Sequence, residues 1–322
     1  MKMNNEIVLE TQSLTKIFHG ARGDVTALDD VSFSIPEGKT LALVGESGSG
    51  KTTAARLVLG LETQNSGTVS VLGKDLSSLN KKELRNLRRS IQVVQQNPYS
   101  QLNRRHSVQR IVETPLLAFN EGSAIQRRDK VVDLLESVGL DSAYLNRRPH
   151  ELSGGQCQRV AIARALAIDP KIVVLDEAVS ALDVSVRAQV LNLLRKLQIA
   201  RNLTYLFITH DLGVAHYLAD EIAVMFRGKI VEKGDRTQIF SNPHHHYTKN
   251  LISSVPLAEP PEAEIETISV DTLPIPNSAD ACSYRTRCAV GLAESECGTK
   301  ELKISLAGSH EWLCHFPLES KI

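Results

Sequence analysis

LALVGESGSGKTT, residues 41–53, is the stretch on which the reading of the fold turns. Leu41–Val44 is an unbroken apolar run, as a parallel strand buried on both faces should be. From Gly45 to Thr52 the chain fits G-x-x-x-x-G-K-[ST] in full, and a helix is expected from about Lys51 to Leu59. Glycines such as Gly45, Gly48 and Gly50 let the backbone curl so that successive N–H groups point inward, with Ser47 among them. Together with the helix N-terminus, at Thr53 and its neighbours, they make an anion cradle. In such a cradle Lys51 reaches the β- and γ-phosphates, and Thr52 sets its hydroxyl on Mg²⁺. Strand, loop and helix together point to a nucleotide site. They do not say what the nucleotide drives.

The surrounding pattern is α/β. Ile7–Leu14 and Val31–Ile35 alternate like half-buried strands, and Gly67–Leu72 is a further short strand. From about Pro98 to Ala167 the pattern turns helical; Val131, Leu134, Leu135 and Val138 share one helical face, and Pro149 and the Gly154–Gly155 pair break the region. Lys171–Leu175 is again an apolar strand. Val184–Arg201 reads as a helix with Val190, Leu191, Leu194 and Leu197 as its stripe, and Leu203–Ile208 and Ile222–Phe226 as strands. Strands alternating with helices predict a largely parallel core sheet.

A chain of 322 residues suits one domain of about 250 residues plus an appendage. The formal net charge of zero argues against broad attraction to nucleic acid or anionic lipid. No apolar run approaches the roughly 20 residues that span a bilayer. Met1–Glu10 has no basic-then-apolar leader, so a cytoplasmic chain with reduced thiols is expected. Composition shifts near Val255: five of twelve prolines and several carboxylates crowd Pro256 to Pro276. This predicts a nucleotide-binding domain over 1–255, with a helical part at about 97–168, then an extended linker over 256–280 and a small four-cysteine module over 281–322.

Lys171–Glu177 is a buried strand ending in two carboxylates. At a strand C-terminus facing the ligand crevice, Asp176 would hold Mg²⁺ and Glu177 would polarise the attacking water as general base. Leu152, Ser153, Gly154, Gly155 and Gln156 precede a helix expected over Cys157–Ala167. Ser153 can accept from that helix's N–H groups, and the glycines let a phosphate approach its positive end. This stretch resembles the signature motif of the ABC ATPases, and the resemblance covers roughly residues 6–255. Other elements of that family occur in order. Gln96 matches the glutamine of the Q-loop, which joins the set Thr52, Gln96 and Asp176 on Mg²⁺. Ser180–Asp183 matches the D-loop, Phe18 the ring that stacks on adenine, and His210 the switch histidine that contacts the γ-phosphate. The resemblance implies a P-loop NTPase core, a parallel sheet with an N-terminal antiparallel β subdomain and a helical subdomain. It implies a head-to-tail dimer in which each ATP lies between one chain's phosphate loop and the other's signature.

Residues 97–105, NPYSQLNRR, and 243–256, PHHHYTKNLISSVP, look like segments of ATPases from dipeptide, oligopeptide and nickel importers, and the whole looks like the second ATPase subunit of the dipeptide type. A shared metal at His244, His245 and His246 is disfavoured, because consecutive helical residues do not share a face. Cys282, Cys288, Cys297 and Cys314 are similar to the cysteine tail of peptide-importer ATPases, where four such residues are associated with a [4Fe–4S] cluster. Zinc or unliganded thiols are the alternatives, and no C-x2-C pair favours zinc. Cys157 reads as a packed, unreactive thiol. The resemblance implies ATP and Mg²⁺ as cofactors, a homologous second ATPase subunit and two permease subunits as partners, a substrate-binding protein as an indirect one, and a place on the cytoplasmic face of the membrane. Peptide import is the expected role. A nickel or metallophore importer and a soluble ABC ATPase are the alternatives.

Overall fold

The structure is a computed structural model and describes residues 6–21, 23–255 and 281–319. The linker expected at 256–280 lies outside the described residues. β1 (Ile7–Phe18) and β2 (Val25–Pro36) pair antiparallel, and β3 (Thr40–Val44) leads through the glycine-rich turn into α1 (Lys51–Val58). β4 (Ser66–Val71) and β5 (Lys74–Asp75) return to β1 and complete a four-stranded sheet in the order β2-β1-β4-β5. α2 (Lys81–Ser90) starts on a capping box in which Asn80 accepts from the Glu83 amide and the Glu83 carboxylate accepts from the Asn80 amide. β6 (Ile91–Val94) follows. A helical stretch then runs through α3 (Pro98–Gln101), α4 (Val108–Ala118), α5 (Ala124–Ser137) and α6 (Gly154–Leu166). β7 (Ile172–Asp176), α7 (Val184–Arg201), β8 (Thr204–Thr209), α8 (Leu212–Leu218) and β9 (Glu221–Phe226) alternate after it. β10 (Lys229–Asp235), α9 (Arg236–Ser241) and α10 (His246–Ser253) close the part before the linker. α11 (Ala289–Ala293), α12 (Glu296–Thr299), β11 (Ser305–Ala307) and β12 (His310–Trp312) follow it.

The second sheet has the order β11-β12-β10-β9-β3-β8-β7-β6. From β9 to β6 every pairing is parallel; β10, β12 and β11 are added antiparallel. Alternate residues of the parallel strands enter two cores. Ala42, Val44, Val173, Leu175, Tyr205 and Phe207 face the helical layer. Leu41, Leu43, Ile172, Val174, Leu206 and Ile208 face α1 and the antiparallel sheet. Burial on both faces is why these strands read as continuous apolar runs. The register also decides where the chemistry sits. Val44 pairs with Thr209, Ile208 with Asp176, and Leu175 with Val94. The turns that leave β3, β8, β7 and β6 therefore emerge side by side along one edge of the sheet.

The four-cysteine segment is not a body apart. Cys282, Tyr284, Cys288 and Cys297 belong to the same buried cluster as the helical layer. β12 pairs with β10, so this segment also extends the main sheet. Residues 281–319 have too few apolar side chains to build a core of their own, and they share the existing one. The signature region differs too. Gly154 and Gly155 form the first turn of α6, three residues ahead of the expected start, rather than a break in the helical region. Ser153 accepts from the Gln156 amide at 3.3 Å, and the Gln156 side chain accepts from the Ser153 amide at 2.9 Å. That reciprocal cap outweighs the low helix propensity of the glycines.

Candidate functional site: a phosphate loop facing two carboxylates

The turn between β3 and α1 is wrapped around Lys51. Its Nζ donates to the carbonyl oxygens of Gly45 at 2.6 Å and Glu46 at 2.7 Å, and lies 3.3 Å from Ser49 Oγ. Gly50 caps α1 with φ near 107°, a conformation that requires glycine. A Cβ there would also fall 2.5 Å from the Ala27 carbonyl oxygen. Burial pulls the Lys51 ammonium below the ordinary lysine value, against the attraction of Glu177, Asp176 and Glu46. A buried ammonium with three carboxylates in its field and only neutral oxygens as direct partners is a ready counter-charge for a polyanion. Ser47, Gly48 and Thr52 lie exposed on the outer rim of the loop, with Thr53 half-buried behind them.

Across from it, β7 delivers Asp176 and Glu177. Burial raises the Asp176 pKa first, the neighbouring Glu177 carboxylate raises it further, and Lys51 opposes both. An acidic oxygen pair held in a partly dry place suits a hard divalent cation. Glu177 adopts φ near 50°, in the left-handed region that non-glycine residues rarely enter. Its amide donates to the Ile208 carbonyl at 2.9 Å, and the Ser180 hydroxyl donates to its carbonyl at 2.9 Å, so both sides of the turn are pinned. The turn sets the Glu177 carboxylate 3.4 Å from His210 Nδ1, at the end of β8. Neither the backbone strain nor this approach has a signal in the sequence.

The remaining expected residues fall around this edge. Gln96 is exposed just beyond β6. Phe18 ends β1, 40% exposed, with Lys16 Nζ 4.9 Å from its ring centre. Asp183 precedes α7 and is exposed, while Arg187 in the first turn pairs with Asp211 at 3.2 Å. At the start of α6 Ser153 is exposed and Gly154, Gly155 and Gln156 are half-buried, and the Gln156 side-chain amide donates to the Tyr144 hydroxyl at 3.0 Å. Tyr99, in the segment after Gln96, donates to the Leu152 carbonyl at 3.2 Å and so joins the two regions. Cys157 is fully buried, and its thiol approaches the Pro149 carbonyl at 3.5 Å.

Cys282, Cys288, Cys297 and Cys314 line one small apolar cavity, together with His245, His246, Tyr284 and Phe316. Burial raises the thiol pKa of Cys282, pushes Cys297 up to about 11 and Cys314 up to about 12. Among the described residues no group of three His, Cys, Asp or Glu side chains is placed to hold a metal ion. The three consecutive histidines each have a protein partner. His244 stacks on Trp312 with ring centres 3.9 Å apart, His245 accepts from the Tyr247 amide at 3.0 Å, and the His246 ring nitrogen lies 3.0 Å from the Phe316 carbonyl.

Two residues that sequence reasoning passed over touch the phosphate loop directly. Tyr247 accepts from the Glu46 amide at 3.0 Å. Arg287 pairs with the Glu46 carboxylate from 241 positions away in sequence. A separation of that size leaves no local trace.

Sequence comparison agrees with this geometry. The family profile described as "ABC transporter" matches residues 28–180, and that described as "Oligopeptide/dipeptide transporter, C-terminal region" matches residues 231–297. The chain is 41% identical to the oligopeptide transport ATP-binding protein AppF of Bacillus subtilis, over 97% of this chain and 98% of that protein. It is 48% identical to the dipeptide transport ATP-binding protein DppF of Haemophilus influenzae, over 82% and 81%. Among solved structures it resembles the post-hydrolysis dimer of the ATP-binding cassette MJ0796 with ADP and Pi, with a TM-score of 0.65 and 31% identity over 71% of this chain and 98% of that one. It also resembles CbiO1 of Clostridium perfringens, part of the transporter complex CbiONQ, with a TM-score of 0.66 and 28% identity over 74% and 92%. No helix among the described residues is long and apolar enough to cross a membrane.

Proposed function

The chain belongs to the ATP-binding subunits of ABC transporters, and from that premise we propose that it is the ATP-hydrolysing motor of a peptide importer. The observation that carries the motor is the shared sheet edge, where the phosphate loop, Asp176–Glu177 and His210 meet. The peptide cargo rests on the AppF and DppF relatives and on the C-terminal profile. In this reading the loop amides from Ser47 to Thr53 and Lys51 bind the phosphates of ATP, and Phe18 stacks on the adenine. Thr52, Gln96 and Asp176 would hold Mg²⁺, which supplies charge neutralisation on the phosphates. Glu177 takes a proton from the attacking water, and His210, 3.4 Å away, holds the carboxylate and the γ-phosphate in one geometry. In this reading Ser153–Gln156, at the positive end of α6, and Asp183 serve the ATP of a partner subunit, as the resemblance to the signature and D-loop motifs implies. The partners are then a homologous second ATPase and two permease subunits, with the chain peripheral on the cytoplasmic face of the membrane.

Glu177→Gln tests the base. ATP binding by the variant should match wild type while turnover falls by about 10²–10⁴-fold, the range for removing a general base. Turnover near the wild-type rate would refute the assignment.

The four thiols are proposed to ligate a [4Fe–4S] cluster. The support is the convergence of all four on a single cavity, with Cys282, Cys288 and Cys297 buried and Cys314 partly so. When bound, the cluster supplies a cross-link that ties Cys282 and Cys288 to Cys297 and Cys314. Protein purified without oxygen should be brown and carry equal amounts of iron and acid-labile sulfide. Colourless, iron-free protein would remove the cluster from the account.

A further inference from the structure

Glu46, the second residue of the phosphate loop, is held on three sides. Its carboxylate lies across Arg287, with Nη1 2.8 Å from Oε2 and Nη2 2.9 Å from Oε1. Its amide donates to the Tyr247 hydroxyl at 3.0 Å. Its carbonyl accepts from Lys51 at 2.7 Å. A two-pronged guanidinium–carboxylate pair fixes direction as well as distance. Charge matters as much. A carboxylate in a loop that must receive a polyphosphate repels it, and Arg287 is the cation set against Glu46.

Both grips come from the far end of the chain, and both are themselves braced. Tyr247, in α10, is buried, with its ring centre 4.7 Å from Phe226 and 5.2 Å from Tyr284. The Arg287 guanidinium lies 5.8 Å from the Phe226 and Tyr284 rings. Its backbone is fixed by the turn that runs from Cys282 to Cys288. Arg287 N–H donates to Tyr284 at 2.9 Å, Arg285 N–H to Cys282 at 3.1 Å, and Cys282 N–H to Cys297 at 3.1 Å. The cysteine segment thus has a physical connection to the nucleotide site.

We propose that Arg287 is a positioning residue of the phosphate loop, supplied by the cysteine segment of the same chain. It neutralises Glu46 and holds the start of the loop so that Lys51 and the loop amides are set for the phosphates. The proposal rests on ATP binding at this loop. An interaction made equally with bound substrate and transition state changes KM and leaves kcat.

The test is ATP affinity of the full-length chain, by titration with a fluorescent ATP analogue, for R287A, R287K, E46Q and R287A/E46Q. R287A should weaken ATP by about fivefold, the size expected of a half-exposed ion pair. R287K should recover only part, because an ammonium cannot make the two-pronged contact. In the E46Q background, loss of the arginine should change affinity little, since nothing is left for it to neutralise. In assembled transporter, KM for ATP should rise in R287A with kcat held. Should R287A fail to fold, R287K in the wild-type and E46Q backgrounds carries the same comparison. Equal affinities for wild type and R287A, or an equal loss in both backgrounds, would overturn the proposal. Wild-type protein that binds no ATP would instead defeat the nucleotide reading itself.

Discussion

A methyl group added at Gly155 separates two roles of the signature glycines. A Cβ built there falls 2.5 Å from Val186 Cγ1, in the first turn of α7. Carbon atoms in contact sit roughly 3.5–4.0 Å apart, so the first turns of α6 and α7 must part by about 1 Å. Overpacking of this kind costs about 1–3 kcal/mol. Against it stands the gain of alanine over glycine in a helix, up to about 1 kcal/mol, because the Gly155 backbone is not in the left-handed region. G155A should therefore lose about 1 kcal/mol net, a fall in Tm of roughly 1–2 °C for a chain of this size. Val186→Ala removes the obstructing methyl. In that background the same G155A change should raise Tm, because only the helix gain remains. The assay is thermal unfolding of wild type, both single variants and the double variant, followed by ATP turnover of each. Lost turnover in a double variant of restored stability would assign the glycine to phosphate approach. A shift of the same sign in both backgrounds would refute the packing argument.

Glu232 and Cys157 give two further expectations. Glu232 is fully buried and accepts from the His244 amide at 2.7 Å, the His245 amide at 2.9 Å and the His310 ring at 2.8 Å. Glu232→Gln turns one acceptor into a donor facing donors and should cost about 3 kcal/mol, read as a lower urea midpoint. Burial alone would raise the Glu232 pKa, but the His310 and amide hydrogen bonds outweigh it and hold it below the ordinary glutamate value. A depressed carboxylate stabilises above its unfolded pKa, and that stability is lost as pH falls through the lower folded value. The gap between wild type and E232Q should thus be full at neutral pH and shrink below about pH 4; a gap independent of pH would count against the ionised carboxylate. Burial pushes the Cys157 thiol up to about 11, so the native chain should resist labelling of that residue at pH 8 and accept it on denaturation. Labelling at the rate of an open thiol would show that α6 opens.

The core strands, the phosphate loop and the acid pair were legible because each is dictated locally. Leu41–Val44 and Ile172–Leu175 are apolar throughout since both faces of the sheet are covered, and the loop needs glycine and lysine at fixed offsets. What escaped has two physical origins. Some of it is conformational: Glu177 enters a left-handed turn held by Ile208 and Ser180, and Gly154–Gly155 join a helix because Ser153 and Gln156 cap each other. The rest is long-range. β10 and β12 are brought together by Glu232 and His310, 78 positions apart, and Arg287 reaches Glu46 across nearly the whole chain. Periodicity describes a segment's faces and carries no record of which distant side chain meets them.

The pairing of β12 with β10 has a consequence for how the molecule keeps company with others. An antiparallel strand at the rim of a sheet offers a row of free amide and carbonyl groups to any passing chain. β12 covers that row on β10, and the outermost strand, β11, is only three residues long with Lys303 just before it. A short rim with a lysine beside it is a poor template for adding another strand. Cutting the chain after Val255 would uncover β10 and strip Glu232 of its histidine in one stroke. Such a fragment should tend to self-associate through its rim, so the tail serves as the chain's protection against aggregation as well as its link to the nucleotide.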